Sequence, residues 1–301
     1  MMNVKGQLKK DKFTFSKIFI HLVLGGFCLA CVIPIYIVIV VSFTPEMEIL
    51  TRGYPLFPEK FSLAAYKFIF SDPTQILRSY GVSIVVTIAG TLLGLWLTAT
   101  IAYAISRKDY RYRNVTSFLI FFTMLFNGGL TPFYIIVTQV LHLSNSIFAL
   151  ILPLALQGWF VLLMKGFLQS IPISIIESAK IDGSSEFKAF TRIVLPTAKP
   201  GLATIGLFLM LTYWNDWYMS LLFINDNRFV SLQYLMYRIM SNINMLRQII
   251  SSHSSLIKLS ELPSLSARMA MCLLAAGPML IVFVFFQKYF IKGITVGSIK
   301  G

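Results

Sequence analysis

Stretches without a formal charge constrain this chain more than any other feature. Residues 18–45, between Lys17 and Glu46, carry none, and neither do residues 79–106, between Arg78 and Arg107. A third run covers 114–164, which is 51 residues. A helix rises about 1.5 Å per residue, so about 20 apolar residues cross a hydrocarbon core of about 30 Å. The first two runs each suit one span. The third suits two, with a turn at Leu143-Ser144-Asn145-Ser146. A fifth span is expected from about Gly201 to Phe223, interrupted only by Asp216, and a sixth over 269–287. The sequence therefore predicts an all-α integral membrane protein with six transmembrane helices. At 56% hydrophobic and 13% charged residues, it has about half the charge of an ordinary soluble domain. A soluble enzyme of ordinary composition is excluded. The length of the first run marks it as a retained helix rather than a cleaved signal.

The net charge of +14 raises the question of nucleic acid, and the placement of the charges answers it. With both termini inside, 17 of the 26 basic residues fall on the cytoplasmic side, as the positive-inside rule requires. The second loop is the sharpest case, with Arg107, Lys108, Arg111 and Arg113 opposed only by Asp109. No contiguous basic face appears, so nucleic acid is not an expected partner. Cys28, Cys31 and Cys272 sit in apolar runs and define no disulfide framework. His21, His142 and His253 are scattered, and no phosphate loop or metal motif occurs, so no metal, cofactor or catalytic set is expected on this chain.

The informative segment joins the fourth and fifth spans. Ser174 and Glu177 have capping-box spacing, with Pro172 blocking backward extension. Gly183 suits a left-handed helix end, and Ser184 a second cap with Glu186 near its positive end. Phe187, Phe190 and Val194 succeed one another at i, i+3 and i+7, one apolar stripe, and Pro196 marks the end. Two short helices joined by a glycine fit either a docking element or an amphipathic helix on lipid headgroups.

Glu177, Ser178, Ala179, Asp182 and Gly183, followed by Phe190, Ile193, Leu195 and Pro196, resemble the EAA loop of ABC-importer permeases. Ser178 departs from the usual alanine but is also small. The resemblance implies a type I importer permease fold in which residues 170–196 form a cytoplasmic coupling helix seated on a separate ATPase. Glu177, Ser178, Ala179, Asp182, Gly183, Phe187, Phe190, Leu195 and Pro196 would carry that contact. The tail Gly293–Gly301 resembles that of maltose-type sugar permeases, which implies that Lys300 reaches the ATPase. Trp214-Asn215-Asp216 resembles their WN[DE] signature, and the overall likeness extends to oligosaccharide permeases of Gram-positive bacteria. The implied division is a cytoplasmic tail 1–17, a first transmembrane helix 18–43, an extracellular loop 44–79, a permease core 80–290 with an extracellular loop 224–268 of short helices, and a cytoplasmic tail 291–301. The implied partners are a second homologous permease, two ATP-binding-cassette ATPase subunits holding ATP and Mg, an extracellular solute-binding lipoprotein, an oligosaccharide and bacterial plasma-membrane lipid. This chain itself would be a transport subunit, not an enzyme.

A substrate pathway has two sequence candidates. Asp216 lies about 22 Å along the fifth span from Gly201, where a carboxylate is a functional hypothesis by default. Tyr213, Trp214, Asn215 and Trp217 flank it, and ring faces beside polar groups suit sugars. An aromatic belt with one solvated carboxylate is the alternative. Trp214 and Trp217, three apart, are expected to share a face. Asn127, in Asn127-Gly-Gly-Leu-Thr-Pro132, opens an interruption of the third span that is either a kink or a site. Gly90 and Gly94 are spaced for close helix packing. A lone channel or membrane enzyme would need a polar span or a catalytic set, and only Asp216 offers either.

Overall fold

The structure is a computed structural model, and it describes residues 15–252 and 264–298. Its helices are α1 (Phe15–Ser42), α2 (Glu46–Arg52), α3 (Ala64–Ile69), α4 (Pro73–Ser106), α5 (Arg113–Leu125), α6 (Leu130–Ile135), α7 (Ile147–Ile151), α8 (Gly158–Gln169), α9 (Ile173–Ile181), α10 (Glu186–Ala189), α11 (Leu195–Thr197), α12 (Lys199–Trp214), α13 (Tyr218–Phe223), α14 (Leu232–Ser252) and α15 (Ser264–Ser298). No strand occurs among the described residues. Among the described residues, three helices are long and apolar enough to cross a membrane alone. The number rises to six if each of three bent pairs crosses once. Two compact units divide the chain: residues 1–69 with 249–273, and residues 70–248 with 274–301.

In the first unit, α1 is apolar and exposed along most of its length, as expected of a helix facing lipid. The segment after it is ordered by aromatic packing. Phe43 stacks on Phe61 and on Tyr66, each with centroids 4.9 Å apart, and the Tyr36 hydroxyl donates to the Leu56 carbonyl at 2.9 Å. Glu46 is only 6% exposed. Its carboxylate accepts from the Leu265 and Ser266 amides (2.9 and 3.1 Å) and from the Ser264 and Ser266 hydroxyls (2.7 and 3.1 Å). Those amides open α15 and have no intrahelical acceptor, so the carboxylate caps the helix and meets its positive end.

In the second unit, α4 is the central element. A Cβ on Gly90 would stand 2.4 Å from the Tyr213 ring, and one on Gly94 would stand 3.0 Å from the Ala155 carbonyl. The two glycines therefore serve close approach of α12 and of the segment before α8. The hydroxyls of Tyr213 and Tyr80 donate to Ile151 O (2.8 Å) and Leu274 O (2.7 Å). Trp214 Nε1 donates to Ala275 O at 2.8 Å. Each polar tip thus satisfies a carbonyl on another element, as a water-free interior demands.

The interruption expected in the third span is present: α5 ends at Leu125, and the helical stretch from Leu130 to Val140 turns away by 111°. Gly129, at φ +88°, takes a conformation that side chains resist. The fifth span is not continuous to Phe223, because α12 stops at Trp214 and α13 starts at Tyr218. Over the described residues of the loop 224–268, a long helix stands where short ones were expected. One short turn precedes the 21-residue α14, which buries Leu235, Met236 and Ile243 on one side and meets no proline or glycine before Pro263.

Candidate functional site

The segment from Ser170 to Lys199 is built as a platform with an inner and an outer face. Pro172 enters α9 in an extended conformation with no side-chain cap. The expected capping box is therefore absent: Ser174 already lies inside the helix, and the ring of Pro172 supplies the stop instead. The helix closes at Gly183, φ +77°. Ser184 N donates to Ala179 O (2.9 Å) and Gly183 N to Lys180 O (3.0 Å), the paired bonds of a Schellman closure. Ser184 is consumed by that closure. The next cap falls one residue later than expected, where the Ser185 hydroxyl accepts from Lys188 N.

The apolar stripe turns toward α4 but is unevenly buried, and Phe187 meets Trp96 edge-on with centroids 6.4 Å apart. Phe190 is 4% exposed and Phe187 is 66% exposed. The Phe190 ring lies against Tyr103 (4.9 Å) and Trp96 (6.0 Å) of α4. A wide helical turn follows, from Phe190 to Val194. Pro196 has no amide to continue the helical ladder and crowds the preceding turn, and a wide turn relieves both. The helix ends at Thr197, one residue past Pro196, and the chain bends by 81° before α12. Leu195 is half-buried and Pro196 exposed.

An ion cluster ties this platform to α4, and sequence spacing gave no sign of it. Tyr103 OH donates to Glu186 Oε1 at 2.5 Å. Lys180 Nζ lies 2.7 Å from Glu186 Oε2 and 3.7 Å from Asp109. Arg107 pairs with Asp109 at 2.6 Å and with Glu186 at 3.8 Å. Hydrogen bonding from Arg107 holds the Asp109 carboxyl below its ordinary range. Partial burial pushes the Glu186 carboxyl up, but bonds from Lys180 and Tyr103 and the charge of Arg107 outweigh it, so the net direction is down.

On the outer face the side chains have no such ties. Ile181 is 86% exposed. Glu177, Ser178 and Asp182 are exposed beside it, whereas Ala179 and Ile176 turn inward. No hydrogen bond or ion pair engages the Glu177 side chain among the described residues. Lys300 lies outside the described residues.

The second candidate region is the α12–α13 break. Tyr213 and Trp214 are buried and hydrogen-bonded to carbonyls of other elements, so they face helices rather than an opening. The Asp216 carboxylate accepts from Met219 N at 3.2 Å and caps α13, and Asn215 Nδ2 donates back to Leu211 O. Trp214 and Trp217 do not share a face, because the helix ends between them. Trp217 instead stacks on Tyr237 with centroids 4.6 Å apart and meets Tyr218 edge-on, and Tyr234 stacks beside Tyr237. Trp217, Tyr218 and Tyr237 are all partly exposed. Sequence reasoning missed Tyr234 and Tyr237, although their i, i+3 spacing within a long amphipathic helix could have shown them. Asn127 is exposed, and its Oδ1 accepts from Gly129 N at 2.9 Å. No group of His, Cys, Asp and Glu that could hold a metal occurs among the described residues.

Comparison with known proteins accounts for nearly the whole chain. It is 39% identical over 280 residues to Protein LplC of Bacillus subtilis, covering 93% of each chain. It is 40% identical to that organism's polygalacturonan/rhamnogalacturonan transport system permease protein YtcP, covering 91% of this chain and 94% of the relative. A solved bacterial ABC transporter involved in the import of the acidic polysaccharide alginate superposes with a TM-score of 0.76 at 26% identity, over 92% of this chain and 99% of that one. Residues 14–296 match the family of binding-protein-dependent transport system inner membrane components, and the chain belongs to that family.

Proposed function

We propose that this chain is the carbohydrate-translocating permease subunit of a bacterial ABC importer, with both termini cytoplasmic. It would work beside a second permease, two ATPase subunits and a solute-binding lipoprotein. The observation that carries the reading is the two-faced platform. Ile181, Glu177, Ser178 and Asp182 stand free on the outside of α9, while Ala179, Phe190 and the Lys180–Glu186 cluster hold the inside against α4. A free apolar anchor ringed by polar groups suits a protein contact, and a support tied to a long core helix suits transmission of a push. ATP and Mg belong to the partner ATPase. A polysaccharide or oligosaccharide as cargo is supported by the relative YtcP, by the alginate transporter, and by a Bacillus subtilis relative for arabinooligosaccharides, AraQ, at 26% identity. In this reading the exposed rings of Trp217, Tyr218 and Tyr237 are the sugar-facing group, with Asn215, Asp216 and Asn127 as flanking polar groups, and Tyr213 and Trp214 are supports.

The test is ATP hydrolysis by the co-expressed complex, with and without oligosaccharide on the binding protein. Glu177→Ala and Gly183→Pro are expected to cut stimulated hydrolysis at least about tenfold, a loss of about 1.4 kcal/mol in coupling, while the complex still assembles. Normal stimulated hydrolysis in both variants would sink the reading.

A further inference from the structure

Between the chain that leaves α4 and the start of α9 lies a pocket of about 200 Å³. Its charged lining is wholly basic (Arg107, Lys108 and Arg113), and its apolar lining is aliphatic, chiefly Leu168, Ile171 and Ile176. The three cations are not equivalent. Arg107 is spoken for by Asp109 and Glu186, although its Nη1 is buried without a partner. Lys108 and Arg113 form no ion pair among the described residues. The pocket sits where the apolar length of α4 stops, at Ser106, and where α5 begins, at Arg113. Tyr110 and Tyr112 are exposed on the same loop, and exposed aromatic rings beside apolar spans mark headgroup depth.

Charges that serve only to orient a membrane protein need no cavity. Here two uncommitted cations flank a concave space with a hydrocarbon wall, which matches a ligand that is anionic at one end and aliphatic at the other. We infer that this pocket binds the phosphate of an anionic phospholipid. Lys108 and the planar fork of Arg113 hold the phosphate oxygens, and Leu168, Ile171 and Ile176 meet the glycerol and first methylenes. Basic pockets between membrane helices are suited to such headgroups. The site stands independently of the coupling proposal. Only its consequence rests on that reading: Ile176 lies on the inner face of α9, so an occupied pocket would brace the helix proposed to meet the ATPase.

The experiment uses the assembled complex in phosphatidylcholine bilayers doped with phosphatidylglycerol, with bound lipid counted by native mass spectrometry. Phosphatidylglycerol is expected to be retained over phosphatidylcholine in the unaltered protein. Lys108→Gln and Arg113→Gln are each expected to lower retention at least about fivefold, and the pair about 25-fold, because each removes a charge-assisted hydrogen bond to the phosphate. Arg111→Gln, which removes a charge from the same loop outside the pocket, is expected to change retention less than about twofold. An equal loss in Arg111→Gln would reduce the site to diffuse surface charge and overturn the inference. Displacement of the lipid by millimolar inorganic phosphate would overturn the lipid assignment in favour of a free anion. Loss of the ATPase subunit from the double variant with lipid retention unchanged would show a protein contact instead. The lipid preference of the unaltered complex decides the matter if the double variant fails to assemble.

Discussion

The platform between α8 and α12 and the break between α12 and α13 each carry a conspicuous acidic motif, yet they use it in opposite ways. In the platform, Glu177 and Asp182 are free while less conspicuous residues, Lys180, Glu186 and Asp109, do the tying. At the break, Asp216 spends its carboxylate on Met219 N, and Tyr213 and Trp214 spend their polar tips on carbonyls. A prominent motif therefore marks an available side chain in one place and a structural one in the other. What separates them is whether the local backbone needs a partner. The platform closes its helix with backbone alone at Gly183, whereas the break exposes amides that only a side chain can satisfy.

Substitutions can undo this contrast at several points. The largest effect is expected from Gly90→Leu, because the Tyr213 ring fills the space its side chain would occupy. Overpacking of this kind costs about 3 kcal/mol, read as lost yield or a lower unfolding temperature of the complex. If that variant is as stable as the unaltered chain, Tyr213 does not fill that space. Gly183→Ala is expected to destabilise by about 1–2 kcal/mol through its left-handed backbone, with local hydrogen exchange rising over 180–185 rather than throughout. Asp216→Ala is expected to lose about 1 kcal/mol as a missing cap, while Asp216→Asn keeps both the cap and transport. A fall in transport with Asn would show that the charge itself meets cargo.

The smallest effect is a pH dependence. Asp109 and Glu186 have carboxyl values held below the unfolded ones. Their contribution is therefore present above the ordinary carboxylate range and lost as pH falls through the depressed values. Both are well exposed, so solvent screens the gain. Hydrogen exchange over 107–112, corrected for its intrinsic pH dependence, is expected to be flat between about pH 6 and 8 and to rise below about pH 4.

The apolar runs and the spaced glycine, proline and acidic residues of 177–196 are properties of neighbours along the chain, so sequence reading reaches them. The residues it misplaced are those decided by distant partners. Ser174 is the local exception, a misplaced cap although Pro172, which fixes the helix start, stands only two residues before it. Phe187 and Phe190 look alike until both are seen to meet Trp96 while only Phe190 reaches Tyr103 and burial. The Arg107–Asp109–Lys180–Glu186 cluster joins two loops about 75 residues apart, and its members read singly as topological charges. Tyr237 reaches Trp217 only because α14 folds back.

Glu46 adds a constraint in time. Its carboxylate is buried against groups 218 to 220 positions further along the chain. Synthesis at about 5–20 residues per second leaves it waiting about 10–40 s for them. Until then an acidic side chain must stay solvated beside a finished apolar helix. The seating of the last helix is therefore also the moment at which the first unit closes, and a chain that stalls or ends before Ser264 leaves a charge with no home and a ready signal of incompleteness.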